Sequence, residues 1–150
     1  ENTQKMIDAI LREKAPEGFH GFLILDMDHF KEVNDVYGHV MGDNVLRMLG
    51  GFLKEQFREQ DVIGRIGGDE FVILLCNIGS RENMESRIKN LHENLREIRM
   101  EGMGEHTFTF SAGIAFAPQD GDTFMELYQK ADLALYQVKR SGRNGYRIYK

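Results

Sequence analysis

Residues 64–76 read GRIGGDEFVILLC. The apolar runs at 62–66 and 70–77 are parted by Gly67-Gly68-Asp69, and two such runs joined by paired glycines form a β-hairpin signal. Two acids, Asp69 and Glu70, stand at the entrance of a strand that reads as buried. A carboxylate there is costly unless something offsets its desolvation. Taken alone, Gly-Gly-Asp is a plain hairpin turn and Glu70 a solvated strand-end charge.

Working outward, residues 20–26 (HGFLILD) form a second short apolar run, read as a buried strand that delivers Asp26 at its carboxyl end. Residues 107–117 (TFTFSAGIAFA) alternate as a half-buried strand, and 145–149 (GYRIY) reads as a short terminal one. Helical spacing appears at 3–14, ended by Pro16 and Gly18, and at about 29–37, punctuated by Gly38 and Gly42. It recurs at 43–58, with Asp43 placed as an N-cap, at 82–100, closed by Gly102 and Gly104, and at 123–140. Helices interleaved with strands around a central hairpin predict an α+β fold, a sheet with helices on its faces.

The chain has 150 residues, the size of one domain, with 41% hydrophobic and 29% charged residues. It opens at Glu1 without an initiator methionine, so the expectation is a single domain, 1–150, cut from a longer protein. Net charge is −5, which argues against broad binding to nucleic acid or to an anionic membrane. No apolar run approaches a membrane span. The lone cysteine, Cys76, lies in an apolar run, excludes an internal disulfide framework and fits a cytoplasmic setting.

The chemistry sits in the acids. DMDHF at 26–30 places Asp28 two residues beyond Asp26. If the 20–26 strand and the hairpin are neighbours, Asp26, Asp28, Asp69 and Glu70 converge. Clustered carboxylates raise each other's pKa unless a cation joins them. An all-oxygen donor set suits Mg²⁺ rather than Zn²⁺. Glycines at 67 and 68 would then make the tip tight and let a ligand approach the backbone. An EF-hand is excluded, since Phe30 and Lys31 stand where that loop needs an acid and a glycine.

Four blocks taken together are far more specific than GGDEF alone. DMDHFKEVNDVYGHVMGD (26–43), RIGGDEF (65–71), SAGIA (111–115) and ADLALYQVKRSGRN (131–144) resemble, in order and spacing, the GGDEF family of diguanylate cyclases. The resemblance covers about residues 20–147. It implies a mostly antiparallel sheet of about five strands flanked by helices, similar to class III nucleotidyl cyclases and polymerase palm domains, with a ferredoxin-like core. It implies condensation of two GTP into cyclic di-GMP with release of two pyrophosphates, on two Mg²⁺ (or Mn²⁺) per active site. Turnover would need a homodimer, since each chain carries one set of GTP-binding residues. Sensory or effector domains are expected in the parent chain.

The resemblance also implies roles. Asp26, Asp69 and the backbone carbonyl of Met27 would hold metal, with Gly67 and Gly68 lining the substrate. Glu70 is left with two roles, assisting the second metal or removing the proton. Asn34 and Asp43 would read guanine, an aspartate accepting from its N–H groups; both are also good helix caps. His39 would lie near the nucleotide, and Phe30 and Lys31 in a turn whose N–H groups meet phosphate. Lys139 and Arg143 would clamp the γ-phosphate; the alternative is a basic cluster complementing a helix dipole. Arg58 and Asp61, an RxxD whose Asp61 is separated from Gly67 by five residues, match a product-inhibition site, with Arg87 and Lys89 as helpers from the following helix. An RxxD is otherwise a surface ion pair. One departure is that the chain opens at ENTQK, where an LTGLxNR-like stretch should be ending. Two rival functions are a non-catalytic sensor of GTP or cyclic di-GMP and a structural dimerisation domain.

Overall fold

The computed structural model describes residues 2–13 and 19–150. Pro16 and Gly18, expected to end the first helix, lie outside the described residues. The elements run α1 (Asn2–Arg12), β1 (His20–Met27), α2 (Phe30–Tyr37), α3 (His39–Gln56), β2 (Val62–Ile66), β3 (Glu70–Leu75), α4 (Arg81–Arg96), β4 (Phe110–Ala117), α5 (Phe124–Arg140) and β5 (Gly145–Ile148). This is the order of helices and strands that the sequence periodicity predicts. Among the described residues no helix is long and apolar enough to cross a membrane.

The strands form one sheet in the order β2-β3-β1-β4-β5, antiparallel except for the β4–β5 pair. β1 is the centre, which explains its nearly unbroken apolar run: it is buried on both faces. Odd residues Leu23, Leu25 and Met27 pack with Val45, Leu49 and Leu53 of α3 and Met84, Ile88 and Leu91 of α4. Even residues Phe22 and Ile24 pack with Val72 and Leu74 of β3, Ile7 of α1, and Leu127, Ala131 and Leu135 of α5. By the same alternation Asp26 and Glu70 fall on the α5 side.

The α5 helix rests directly on the sheet at Gly113. A Cβ there would lie 2.0 Å from the Ala131 carbonyl oxygen and 2.6 Å from the Leu135 nitrogen. Only glycine admits this approach, and it brings the α5 side chains down onto the ends of β1 and β3.

Several boundaries differ from expectation for identifiable reasons. Asp43 is not an N-cap: α3 begins at His39, after Gly38 at φ +92°, so Asp43 lies inside the helix. Gly42 is likewise no stop. A Cβ at Gly42 would lie 1.9 Å from Asn34 Oδ1, so this glycine makes room for the Asn34 amide. Asn34 is not a cap side chain either; it lies within α2, where its carbonyl accepts from the Gly38 N–H. α4 ends at Arg96 rather than 100, ahead of Gly102 and Gly104. β4 begins at Phe110 rather than 107, because Thr109 bonds to Asp28 instead: the Asp28 N–H donates to its carbonyl at 3.0 Å.

Candidate active site

The β2–β3 hairpin closes with Ile66 opposite Glu70, leaving Gly67, Gly68 and Asp69 as its loop. Gly67 has φ +69°, a left-handed conformation that favours glycine. A Cβ on Gly67 or Gly68 would meet no described atom within 4 Å, so this tip is an open surface. In the antiparallel pairing of β1 with β3, Asp26 stands opposite Glu70. The strand ends therefore bring Asp26, Asp69 and Glu70 together.

The Lys139 ammonium, from the last turn of α5, pairs with Asp26 Oδ2. The other oxygen, Asp26 Oδ1, is buried without a hydrogen-bond partner. Burial pushes the Asp26 carboxyl above its usual range; Lys139 opposes this, and the neighbouring Asp69 charge adds to it. Glu70 is also raised by burial, opposed by a 2.7 Å hydrogen bond donated by the Tyr128 hydroxyl and reinforced by Asp26 and Asp132. The solvated-charge reading of Glu70 is thus set aside.

Asp28 does not join this group. The residue is 6% exposed, and its carboxylate accepts from Thr109 Oγ1, Ser111 Oγ and the Asn144 N–H at 2.7, 2.6 and 2.9 Å. The expected convergence of four acids becomes three, since Asp28 lies past the end of β1, where the strand alternation no longer directs it. Its partners come from β4 and from the segments before β4 and β5.

A divalent cation fits the donor set. The donors are all oxygen, and one of them, Asp26 Oδ1, lacks a partner. The only other such buried side-chain atom among the described residues is His92 Nε2, on a ring stacked 3.7 Å from Phe110 and kept below its usual pKa by burial. Among the described residues no group of three His, Cys, Asp or Glu side chains is arranged to hold a metal ion. Mg²⁺ is commonly held by only one or two carboxylates and completes its shell with water and substrate phosphates. The Met27 side chain is a buried thioether with no oxygen, so only its backbone carbonyl could serve as an oxygen donor.

The remaining residues sit on the adjoining elements. The Asn34 amide lies against Gly42, the residue before exposed Asp43. Phe30 and Lys31 open α2, whose first N–H groups have no intrahelical acceptor. Lys31 pairs with Asp35 on its own helix at 3.3 Å rather than with the acids. His39 is exposed at the first position of α3. Arg143 is exposed in the turn after α5.

Arg58 and Asp61 lie at the other end of the sheet, where Val62 pairs with Leu74. Asp61 has a fully buried side chain. Its oxygens accept from the Arg58 N–H at 3.0 Å, the Arg58 guanidinium at 3.2 Å and the Cys76 N–H at 2.9 Å, with Arg87 at 3.8 Å. Arg58 also donates to the Cys76 carbonyl. Arg87 is thus beside the pair, whereas Lys89 lies among Glu82, Glu85 and Glu93 along α4. Burial pushes the Cys76 thiol to about 11, an inert group.

Tyr128, Thr109, Ser111 and Asn144 escape sequence reasoning. Tyr128 is half-buried, with its hydroxyl on Glu70, and no signal in the sequence marks that pairing. The others matter only through Asp28: Ser111 and Asn144 fall inside two of the blocks that carry the resemblance, but nothing local shows that they bond to Asp28.

A family model described as diguanylate cyclase, GGDEF domain, matches residues 3–145. The chain is 34% identical over 147 residues to the diguanylate cyclase DgcS of Shewanella oneidensis, covering 97% of this chain and 48% of that protein. It is 37% identical over 122 residues to the probable diguanylate cyclase DgcC of Escherichia coli K12, covering 81% and 33% respectively. The GGDEF domain of TpbB (YfiN) from Pseudomonas aeruginosa superposes with a TM-score of 0.86 at 30% identity, covering 99% of this chain and 86% of that one. The matches span 33% to 48% of the length of these two curated relatives.

Proposed function

Because the chain belongs to the GGDEF-domain family of diguanylate cyclases, we propose that it joins two GTP molecules into cyclic di-GMP. In each half-reaction the 3′-hydroxyl of one GTP attacks the α-phosphorus of the other. A new P–O bond forms, the α–β bridge breaks, pyrophosphate leaves and the hydroxyl proton passes to a base or solvent. Two such steps close the ring. One GTP per chain means that two domains must meet face to face, so the working form is a homodimer in the cytoplasm, under the control of sensory or effector domains.

The single observation that carries this reading is Asp26: a carboxylate at a strand end with one buried, unpartnered oxygen, beside Asp69. Asp26, Asp69 and the Met27 carbonyl would hold two Mg²⁺ or Mn²⁺ ions. Bound there, the ions would neutralise pyrophosphate charge and lower the pKa of the attacking hydroxyl. The chain's own groups do the rest. Asn34 and Asp43 hold guanine, the start of α2 at Phe30–Lys31 takes phosphate on backbone N–H groups, and His39 borders the nucleotide. Gly67 and Gly68 keep side chains away from the phosphates. Lys139 and Arg143 supply positive charge for the γ-phosphate. Glu70, held by Tyr128, either receives the proton or supports the second ion.

The Arg58–Asp61 pair would form the product-inhibition site. The Arg58 side chain is 40% exposed, while Asp61 is fully enclosed. Arg58 therefore meets the ligand, Arg87 assists, and Asp61 orients the two cations.

The test is purified protein with GTP and Mg²⁺, the product identified by mass spectrometry. Cyclic di-GMP, with activity rising more than linearly with protein concentration, is expected. Its absence, even with upstream domains restored, would sink the catalytic claim.

A further inference from the structure

Asp28 bonds to three residues on two separate segments, yet neither the metal nor the guanine role uses it. The structure points to a positioning function. We infer that Asp28 fixes the turn that carries Arg143, and thereby sets how strongly the site distinguishes a nucleoside triphosphate from a diphosphate. The inference rests on the reading of Arg143 as the cation for the terminal phosphate.

The turn after α5 runs through Gly142, Arg143 and Asn144 at φ +112°, +67° and +52°. Two consecutive non-glycine residues in the left-handed region are disfavoured and persist only where surrounding contacts impose them. Two contacts do so in this turn. The Arg143 N–H donates to the Val138 carbonyl at 3.0 Å, which continues the end of α5. The Asn144 N–H donates to Asp28 Oδ2 at 2.9 Å, which ties the turn to the end of β1. Beyond it, Gly145 enters the sheet opposite Ser111, the residue whose hydroxyl donates to Asp28 Oδ1. A single buried carboxylate therefore joins the strand that carries Asp26 to the turn that carries Arg143.

Arg143 is exposed, so its direction depends on that backbone more than on packing. Releasing the turn would let the guanidinium sample other directions at no cost to the guanine contacts on α2 and α3. Asp28 is already saturated with neutral donors, so its value lies in the fixed geometry rather than in a free charge.

The experiment measures Kd for 3′-deoxy-GTP and 3′-deoxy-GDP with Mg²⁺ by calorimetry; both lack the attacking hydroxyl and cannot turn over. Arg143→Ala should reduce the preference for the triphosphate by about tenfold, the scale of one charge-assisted hydrogen bond. Asp28→Ala should reduce it comparably, with the diphosphate Kd unchanged within about twofold. Asp28→Asn should keep most of the preference. Its amide oxygen can accept from Asn144 and Thr109, and its NH₂ can donate to Ser111. If Asp28→Ala does not fold, Asp28→Ser gives the same reading, since its hydroxyl falls one atom short of the Asn144 amide. Equal weakening of both ligands in the Asp28 variants overturns the inference, as that marks a general loss of fold. So does an intact preference in those variants while Arg143→Ala loses it. An unchanged preference in Arg143→Ala instead overturns the terminal-phosphate reading of Arg143, and this inference with it.

Discussion

The two ends of the β1–β3 pair each hold a carboxylate facing cations, and they are built in opposite ways. The Asp26–Glu70 and Gly21–Leu75 pairs are five residues apart, about 17 Å along the strands. At one end Asp61 is fully enclosed and its oxygens accept from Arg58 and Cys76, with Arg87 nearby. At the other, Asp26 has one oxygen on Lys139 and one buried with no partner, beside further acids. The first arrangement is complete in the protein alone. The second is electrostatically unfinished, and a cation with phosphate is what would finish it. On the proposed function, the under-satisfied acids would mark the reaction site, whereas the satisfied ion pair is architecture first and, as proposed, a regulatory site second.

Substitutions can break or sharpen this contrast. The largest effect is expected from Asp69→Ala at the unfinished end. Product formation should fall by about a thousandfold or more, with cyclic di-GMP binding at Arg58 retained. Mass spectrometry and a product titration check the two halves. Next comes the finished end. Asp61→Ala removes the acceptor from two cations and a buried N–H, and should cost about 3 kcal/mol in urea unfolding. That is the low end for a buried pair, because Arg58 keeps contact with water. Loss of product inhibition with unchanged stability would make Asp61 a regulatory residue first and a structural one second.

The unfinished end should also titrate. Burial raises Asp26 and Glu70, so protons compete with the metal above the ordinary carboxylate range. Apparent Mg²⁺ affinity should fall as pH drops through that range, by about tenfold per pH unit for each proton displaced. Calorimetry from about pH 8 down to pH 5 reads it; a flat profile would show that these acids do not bind the metal.

The smallest effect is on stability. A carboxyl whose folded-state pKa is raised binds its proton more tightly when folded. Its ionisation therefore weakens the fold as pH rises from about 4.3 through the folded-state value. Glu70→Gln removes that penalty. It should stabilise the metal-free protein by under about 1 kcal/mol at pH 7 and leave it unchanged below about pH 4. The same variant should lower cyclase activity. Thermal melts at the two pH values decide the stability claim, and a loss of stability at pH 7 would mean that the Tyr128 bond outweighs burial.

Much of this was legible in the sequence because it depends on local periodicity. The strand runs around Leu23 and Ile73, the helical stripe of Leu127, Ala131 and Leu135, and the Gly-Gly hairpin all follow from spacing. Glycines and acids were harder to read, since their meaning depends on what packs against them. Gly42 looked like a helix stop and proved to be a seat for Asn34. Asp43 looked like a cap and proved to lie within α3, one residue along from that seat. Asp28 looked like a partner of Asp26, but its own bonds turn it to Thr109, Ser111 and Asn144.

The sequence by itself determined the elements, their order and the set of residues proposed to handle GTP and metal, because these rest on residue type and on periods of two and 3.6. Only the tertiary structure decided which acids stay unfinished. That choice depends on strand register, which sets Asp26 opposite Glu70, and on Gly113, which lets α5 come close enough to place Lys139 on Asp26. Both are long-range facts: a carboxylate's partners are fixed by chain segments a hundred residues away, and no local pattern encodes them.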